Sequence, residues 1–182
     1  MFLQSRKTAL LLCLGALLVT KYTKQIGPHY RDRPYVFYSE KLLASFFRIL
    51  PEHSLVYARY SGEVTIDDYL GVVEGVQNHP DFRIEFKHLI DLMDLTEIKL
   101  DYVKVMKAQA QIAGLVANAT SDILSVVVAP TPIALQAAKM VLRSWDDLDT
   151  PVVRRIVSNL TQAAVLLGLP KNTLLDLQKQ IS

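Results

Sequence analysis

Cysteine is almost absent from this chain, and metal-ligand spacings are absent as well. Cys13 is the single cysteine among 182 residues, which excludes an intramolecular disulfide framework and a cysteine metal cluster. The four histidines stand at positions 29, 53, 79 and 88, and no two of them have the i, i+4 spacing that pairs metal ligands on a helix. We therefore expect neither a metal nor another cofactor.

The sequence also lacks an excess of charge of one sign and the glycine motifs of common enzymes. The 20 basic and 18 acidic residues leave a net charge of +2, without the basic excess of nucleic-acid-binding proteins, so we expect no nucleic acid as a partner. No P-loop, dinucleotide-binding fingerprint or Gly-x-Ser-x-Gly elbow occurs. Ser61, Ser125 and Ser158 have no flanking sequence that marks an activated nucleophile. We predict no catalytic residues and a protein that is not an enzyme.

No long hydrophobic run is present, but a short one lies near the amino terminus. Arg6 and Lys7 precede an uncharged stretch at 8–20, which is shorter than the roughly 20 residues that span a bilayer. The stretch is similar to the apolar region of a signal peptide, yet the residues KYTK after it supply no small-x-small cleavage site. Whether it is an anchor or a signal is left open, as is whether Met1 is the true start.

Localisation and domain division follow from this segment. We expect a cytoplasmic protein, and the alternative is a membrane-tethered or exported one. Membrane contact is expected only through residues 1–20. The polar stretch that follows indicates a linker, so the sequence predicts a segment at 1–38 and one domain at 39–182, a length that a single core can fill.

Five β-rich runs predict strands. FFRIL and LVYARY are separated by four residues, which is typical of a β-hairpin. ILSVVVA is an unbroken apolar run, which indicates a central strand buried on both faces. The predicted strands span 46–50, 55–60, 86–92, 123–129 and 152–157.

Helix signals alternate with these strands. Thr65 and Asp68 form a start similar to a capping box. Thr131 precedes a proline in the position of an N-cap, and Asn159 and Gly168 can begin and end a further helix. The predicted helices span 66–78, 100–119, 132–143, 160–167 and 171–180. The alternation predicts an α/β fold with crossover helices.

Five segments together resemble a known family. They read LVYARYSGEVTIDDYLGVV, NHPDF, HLIDLMDLTEI, VVVAPTPIALQAAKM and VVRRIVSNLTQAAVLLGLP. They are similar to the STAS/SpoIIAA-like family of small bacterial α/β proteins. The resemblance implies a mixed sheet of about five strands with an N-terminal hairpin and crossover helices, and a regulatory or protein-interaction module.

Anti-sigma factor antagonists of that group are switched by phosphorylation of a serine in an Asp-Ser-Ser-Gly loop. With Asp91 aligned to the aspartate of the corresponding strand, Lys99, Leu100 and Asp101 fall on this motif. The resemblance therefore implies a non-enzymatic module without the phosphorylatable serine.

Polar residues cluster after the predicted strand at 86–92. Ligand sites of α/β folds commonly lie at the carboxyl ends of strands, so this cluster predicts a site for an unidentified protein partner. The other interpretation is that these are loop and helix-end charges, since an acidic residue is favoured in the first turn of a helix. The candidate partner-binding residues are Asp91, Asp94, Thr96, Glu97, Lys99 and Asp101.

Two other classes of function stay open: a carrier of a small apolar ligand or lipid, similar to the related CRAL-TRIO fold, and a degenerate enzyme. An interaction module predicts no pocket, a carrier predicts a large apolar pocket, and an enzyme predicts converging titratable groups. The helices at 100–119 and 132–143 are rich in alanine, so we expect them to lie close on the sheet and to leave no enclosed apolar cavity. The sequence does not indicate an oligomeric state.

Overall fold

A computed structural model describes residues 35–36, 45–99, 101–117, 119–145, 149–170 and 172–174. The apolar run at 8–20, the predicted boundary at 38/39 and most of the predicted helix at 171–180 lie outside these residues. Every described residue belongs to one compact unit, Pro34–Ser182. None of the helices in the described ranges has the length and apolar character to cross a bilayer.

Strands and helices alternate along the chain, which confirms an α/β protein. The strands are β1 (Tyr35–Val36), β2 (Ser45–Leu50), β3 (Leu55–Tyr60), β4 (Gly62–Thr65), β5 (Lys87–Asp91), β6 (Leu95–Lys99), β7 (Ile123–Val128) and β8 (Val152–Val157). The helices are α1 (Ile66–Gln77), α2 (Tyr102–Val116), α3 (Pro132–Arg143) and α4 (Leu160–Leu167).

Six of the strands form one mixed sheet in the order β1-β2-β3-β5-β7-β8. β1, β2 and β3 pair antiparallel, and the predicted hairpin is confirmed because Leu50 pairs with Leu55 across its turn. β3, β5, β7 and β8 pair parallel, with a helix in each crossover. β7, the ILSVVV run, lies between two parallel neighbours as predicted.

Local side-chain chemistry sets the helix ends. Thr65 and Asp68 form a reciprocal capping box at the start of α1. Thr131 accepts a hydrogen bond from the Ala134 N–H at 3.1 Å, directly before the proline that begins α3. Gly168 ends α4 with a φ of 67°, a left-handed conformation that glycine adopts without strain. These predicted caps are confirmed.

One pair of strands departs from the sequence prediction. β4 and β6 form a separate two-stranded parallel sheet, although the sequence predicts loop at 93–99. Leu95 is buried and Ile98 is partly buried, and both pack against the main core. α2 consequently begins at Tyr102, two residues later than predicted, with Asp101 as its N-cap.

The two faces of the main sheet carry different helices. α4 packs on one face, where its Leu160, Ala163 and Leu167 contact Leu89 and Val126 from the strands. Side chains of a strand alternate between faces, so Val56 and Ala58 point to the other side, together with buried residues of α1, α3 and the β4–β6 pair.

Candidate functional site

An apolar cavity of about 350 Å³ lies on the face of the main sheet that α1 and α3 cover. β3, β5 and β7 contribute its floor through side chains such as Ala58, Ile90 and Val127. Ile112 and Val116 show that α2 also reaches it, and β6 adds Ile98. The polar residues among those that line it are Tyr60, Tyr69, Gln77, His88, Ser125 and Arg154.

The space under these helices is larger than their small side chains predict. α3 does bury Ala134, Ala137 and Ala138, yet short side chains also fill little space. Larger side chains from the neighbouring elements, Tyr69 and Trp145 among them, line the same cavity and keep the helices from closing onto the sheet. Small residues therefore leave a void here instead of a close contact.

Three of the polar side chains that line the cavity stand in one row. Strand register places Val56 beside His88, His88 beside Ser125, and Ser125 beside Arg154, across four neighbouring parallel strands. The next row on the same face is apolar, since it pairs Ile90 with Val127. One end of the cavity floor is therefore polar and the remainder is apolar.

Among the described residues that line the cavity, Arg154 is the only charged one. Its guanidinium carbon lies 3.8 Å from the centre of the Trp145 ring, a cation–π contact. Its terminal nitrogens donate to the Val152 carbonyl at 3.1 Å and to the Thr150 Oγ1 at 3.5 Å. Within the described ranges no carboxylate lies within salt-bridge distance of this guanidinium.

Burial lowers the pKa of Arg154 to about 10, against an opposing effect of Tyr69. The group is therefore still positively charged at neutral pH. A half-buried cation of this kind has lost water that its protein partners replace only in part.

His88 is neutral at physiological pH. Burial is the larger cause and the positive charge of Arg154 the smaller one, and together they lower the pKa of His88 to about 4. The neutral imidazole offers one donor and one acceptor. Among the described residues it forms no hydrogen bond, so both functions are open to a ligand.

Two tyrosines line the cavity from the other side. The Tyr69 hydroxyl accepts a hydrogen bond from the Gln109 Nε2 at 3.4 Å, and burial raises the pKa of Tyr69 to about 12, opposed by Gln109 and Arg154. Burial, with Tyr69 and Asp68, raises the pKa of Tyr60 as well. Both phenols are therefore protonated donors at neutral pH.

Gln109 carries the one unsatisfied buried side-chain atom found in the described part of the chain. The residue has no exposed surface, and its Oε1 has no hydrogen-bond partner there. An unpaired buried polar atom costs about 1–3 kcal/mol. The Tyr69 and Gln109 pair thus leaves hydrogen-bonding capacity unused behind the cavity wall.

The six residues of the predicted partner site are spread over several structural roles, and none lines the cavity. Asp91 is fully buried at the end of β5, where it accepts the Tyr57 hydroxyl at 2.8 Å and the Met93 N–H at 2.9 Å. Burial is the main cause, and Asp91 the next, of a strongly raised Tyr57 pKa. Asp94 forms an ion pair with Arg59.

The other four predicted residues lie on β6 and at the start of α2. Thr96 and Glu97 are exposed on β6. Lys99 bridges Glu63 at 2.8 Å and Glu97 at 3.6 Å, and so ties β6 to β4. Asp101 accepts the Val103 and Lys104 N–H groups as the N-cap of α2. A role of this surface in partner binding stays a prediction.

Sequence reasoning missed the polar row. Each member is a single polar residue at a cavity-facing position of a predicted strand, and strand alternation was the signal that could have placed Ser125 and Arg154 on a common face. The row lies nearer the amino ends of the parallel strands, opposite to the end at which the sequence predicted the site.

The protein is therefore an α/β protein with an apolar cavity between its main sheet and α1, α2 and α3. Comparisons with family models, with curated proteins and with solved structures gave no match. In the part of the chain that the structure describes, no group of three or more His, Cys, Asp or Glu side chains could hold a metal ion.

Proposed function

We propose that this protein binds a small apolar ligand in the cavity between the main sheet and α1, α2 and α3, as a carrier or sensor and not as an enzyme. The cavity carries the proposal. Its volume of about 350 Å³ falls within the roughly 300–1,000 Å³ of ligand pockets in proteins. It is lined mainly by Val, Ile, Leu and Ala, which favours a hydrocarbon over a polar metabolite.

The size of the cavity argues against its being a packing defect. Interiors are normally filled to the density of organic crystals, and cavity formation costs about 24 cal/mol per Å³ in engineered cores. A space of about 350 Å³ is much larger than the few water-sized voids of a filled interior.

The finer assignments are part of the same proposal. A β-hairpin followed by helix-and-strand units and a final helix supports a fold of STAS/SpoIIAA-like type. An apolar cavity is what the carrier hypothesis predicts and what a pure protein-interaction module does not. We therefore rank the carrier first, and the regulatory interaction module stays a prediction.

Binding of an uncharged apolar probe tests the proposal. N-phenyl-1-naphthylamine, whose fluorescence rises in apolar surroundings, should bind the purified protein with about 1:1 stoichiometry. Val127→Phe places a larger side chain in the cavity and should weaken this binding at least tenfold. Val165→Phe is the matched control, since Val165 is 69% exposed on α4 and lies away from the cavity.

The free energies of unfolding of the same two variants show whether Val127 borders an open cavity or a filled core. Overpacking a filled core costs about 1–3 kcal/mol, whereas Val127→Phe in an open cavity should cost less than about 1 kcal/mol in urea unfolding. The proposal fails if wild type does not bind the probe, or if both variants bind it as wild type does.

A further inference from the structure

The cavity has an electrostatic asymmetry that a purely apolar ligand leaves unexplained. Among the described residues that line it, Arg154 is the one that carries a charge, and none is Asp or Glu. A core built only for hydrocarbon gains nothing from a cation on its floor, because the group loses hydration there and no described lining residue supplies an opposite charge. A ligand that carries one negative charge would supply the missing opposite charge.

The guanidinium is already oriented for an anion. Stacking on Trp145 at 3.8 Å and bonds to Val152 and Thr150 fix its plane. Among the described residues these bonds engage two of the five N–H groups of an arginine, so three are open to a ligand there. A planar guanidinium binds a carboxylate through two parallel hydrogen bonds, a geometry that needs such a fixed plane.

The cross-strand neighbours of Arg154 on this face are neutral hydrogen-bonding groups. Ser125 is its registered partner on β7, and His88 is the next residue across the sheet. The Ser125 hydroxyl and the neutral His88 imidazole can each donate to a carboxylate oxygen. One cation with neutral donors matches a singly charged head group better than a phosphate monoester, which carries nearly two negative charges.

The volume sets the size of the apolar part. A water-sized group takes about 30 Å³ in a liquid, so 350 Å³ holds about a dozen such groups. That corresponds to one medium-length hydrocarbon chain with its head group, not to a two-chain phospholipid.

We propose that the ligand is a single-chain monocarboxylic acid whose carboxylate lies against Arg154 and Ser125, with its chain over Ile90 and Val127. This inference rests on the proposed apolar binding function and adds the head group. Arg154 is then the residue that selects acids over neutral lipids of the same length, and Trp145 holds it in position.

Ligands that share one hydrocarbon chain and differ in the head group test the carboxylate proposal separately from binding of the chain. Dodecanoic acid, 1-dodecanol and dodecyl phosphate share one chain, and their affinities can be measured at pH 8 by displacement of N-phenyl-1-naphthylamine. Wild type should bind the acid about tenfold to a hundredfold more tightly than the alcohol, as expected for charge-assisted hydrogen bonds.

Variants then assign the preference to its residues. Arg154→Gln should lose the preference for the acid while its affinity for the alcohol stays within about threefold of wild type. Arg155→Gln is the control, because Arg155 is the exposed neighbour on β8 and does not line the cavity. Ser125→Ala, which leaves Arg154 and Trp145 in place, should reduce the preference for the acid severalfold.

His88 gives a readout that a structural role of Arg154 would not move. A bound carboxylate should raise the pKa of His88 from about 4 towards its ordinary range, since it offsets the charge of Arg154. NMR titration of the imidazole should show this rise with dodecanoic acid and not with 1-dodecanol.

The outcomes distinguish the two proposals. Equal affinity for acid and alcohol overturns the carboxylate inference and leaves the apolar carrier intact. Tighter binding of dodecyl phosphate than of the acid overturns the choice of head group. Failure of all three ligands and of the probe to bind overturns the carrier itself.

Discussion

Replacement of His88 should change how stability depends on pH. The pKa of His88 is lowered from 6.5 to about 4 in the folded protein, whereas the unfolded chain takes up the proton near 6.5. Between these values the unfolded state binds more protons, so folding stability falls as pH falls. The stability is fully present above about pH 6.5 and is lost progressively towards pH 4.

The expected loss at pH 5 is about 2 kcal/mol relative to pH 8. His88→Gln removes the titrating group and keeps a neutral polar side chain, so its stability should fall by about 2 kcal/mol less over this range. Trp145 is the single tryptophan and is buried, which makes its fluorescence a reporter of urea unfolding at each pH.

Two results would refute this reasoning. Parallel pH profiles for wild type and His88→Gln would show that the imidazole is not desolvated in the cavity floor. NMR titration gives the direct check: in Arg154→Gln the pKa of His88 should rise only in part, because burial is the larger cause of its lowering. A return to the ordinary value in that variant would assign the whole shift to charge and contradict the burial.

Two further predictions concern the rest of the fold. Tyr57→Phe should lower the free energy of unfolding by about 1.5–3 kcal/mol, because it removes a 2.8 Å hydrogen bond from the fully buried Asp91. Tyr102→Phe, at a half-exposed position, is the control and should have no effect. Equal urea midpoints for the two variants would contradict the hydrogen bond between Tyr57 and Asp91. Gly168→Ala should cost about 1–2 kcal/mol because of the positive φ, whereas Gly114→Ala in α2 should add about 0.5–1 kcal/mol of stability. No atom of the described residues would crowd either new methyl group, so the same sign for both would show that backbone conformation does not decide the difference.

The elements that depend on local chemistry were predictable from the sequence. Thr65 with Asp68, Thr131 before its proline, and Gly168 set helix ends through groups within a few residues, so α1, α3 and α4 were predicted to within one residue. β7 was predicted because its unbroken apolar run could not face water on either side.

The elements that depend on distant pairing were not predictable. β4 and β6 are short, and each is stabilised by the other from a separate part of the chain. The cavity was missed for a related reason, because alanines permit close packing of a helix without requiring it. The row of His88, Ser125 and Arg154 exists only through the register of β5, β7 and β8, which no single segment encodes.

The two faces of the main sheet are covered at different times during synthesis of the chain on the ribosome. Three helices cover one face, and α1, α2 and α3 are all translated before β8. The opposite face, with Leu55, Leu89 and Val126, is covered by α4, which is translated after every strand. At a synthesis rate of about 5–20 residues per second, the apolar face of these strands stays uncovered by α4 for seconds. We expect a nascent chain at that stage to expose apolar strands that a chaperone can bind, and a chain terminated before residue 160 to be prone to aggregation.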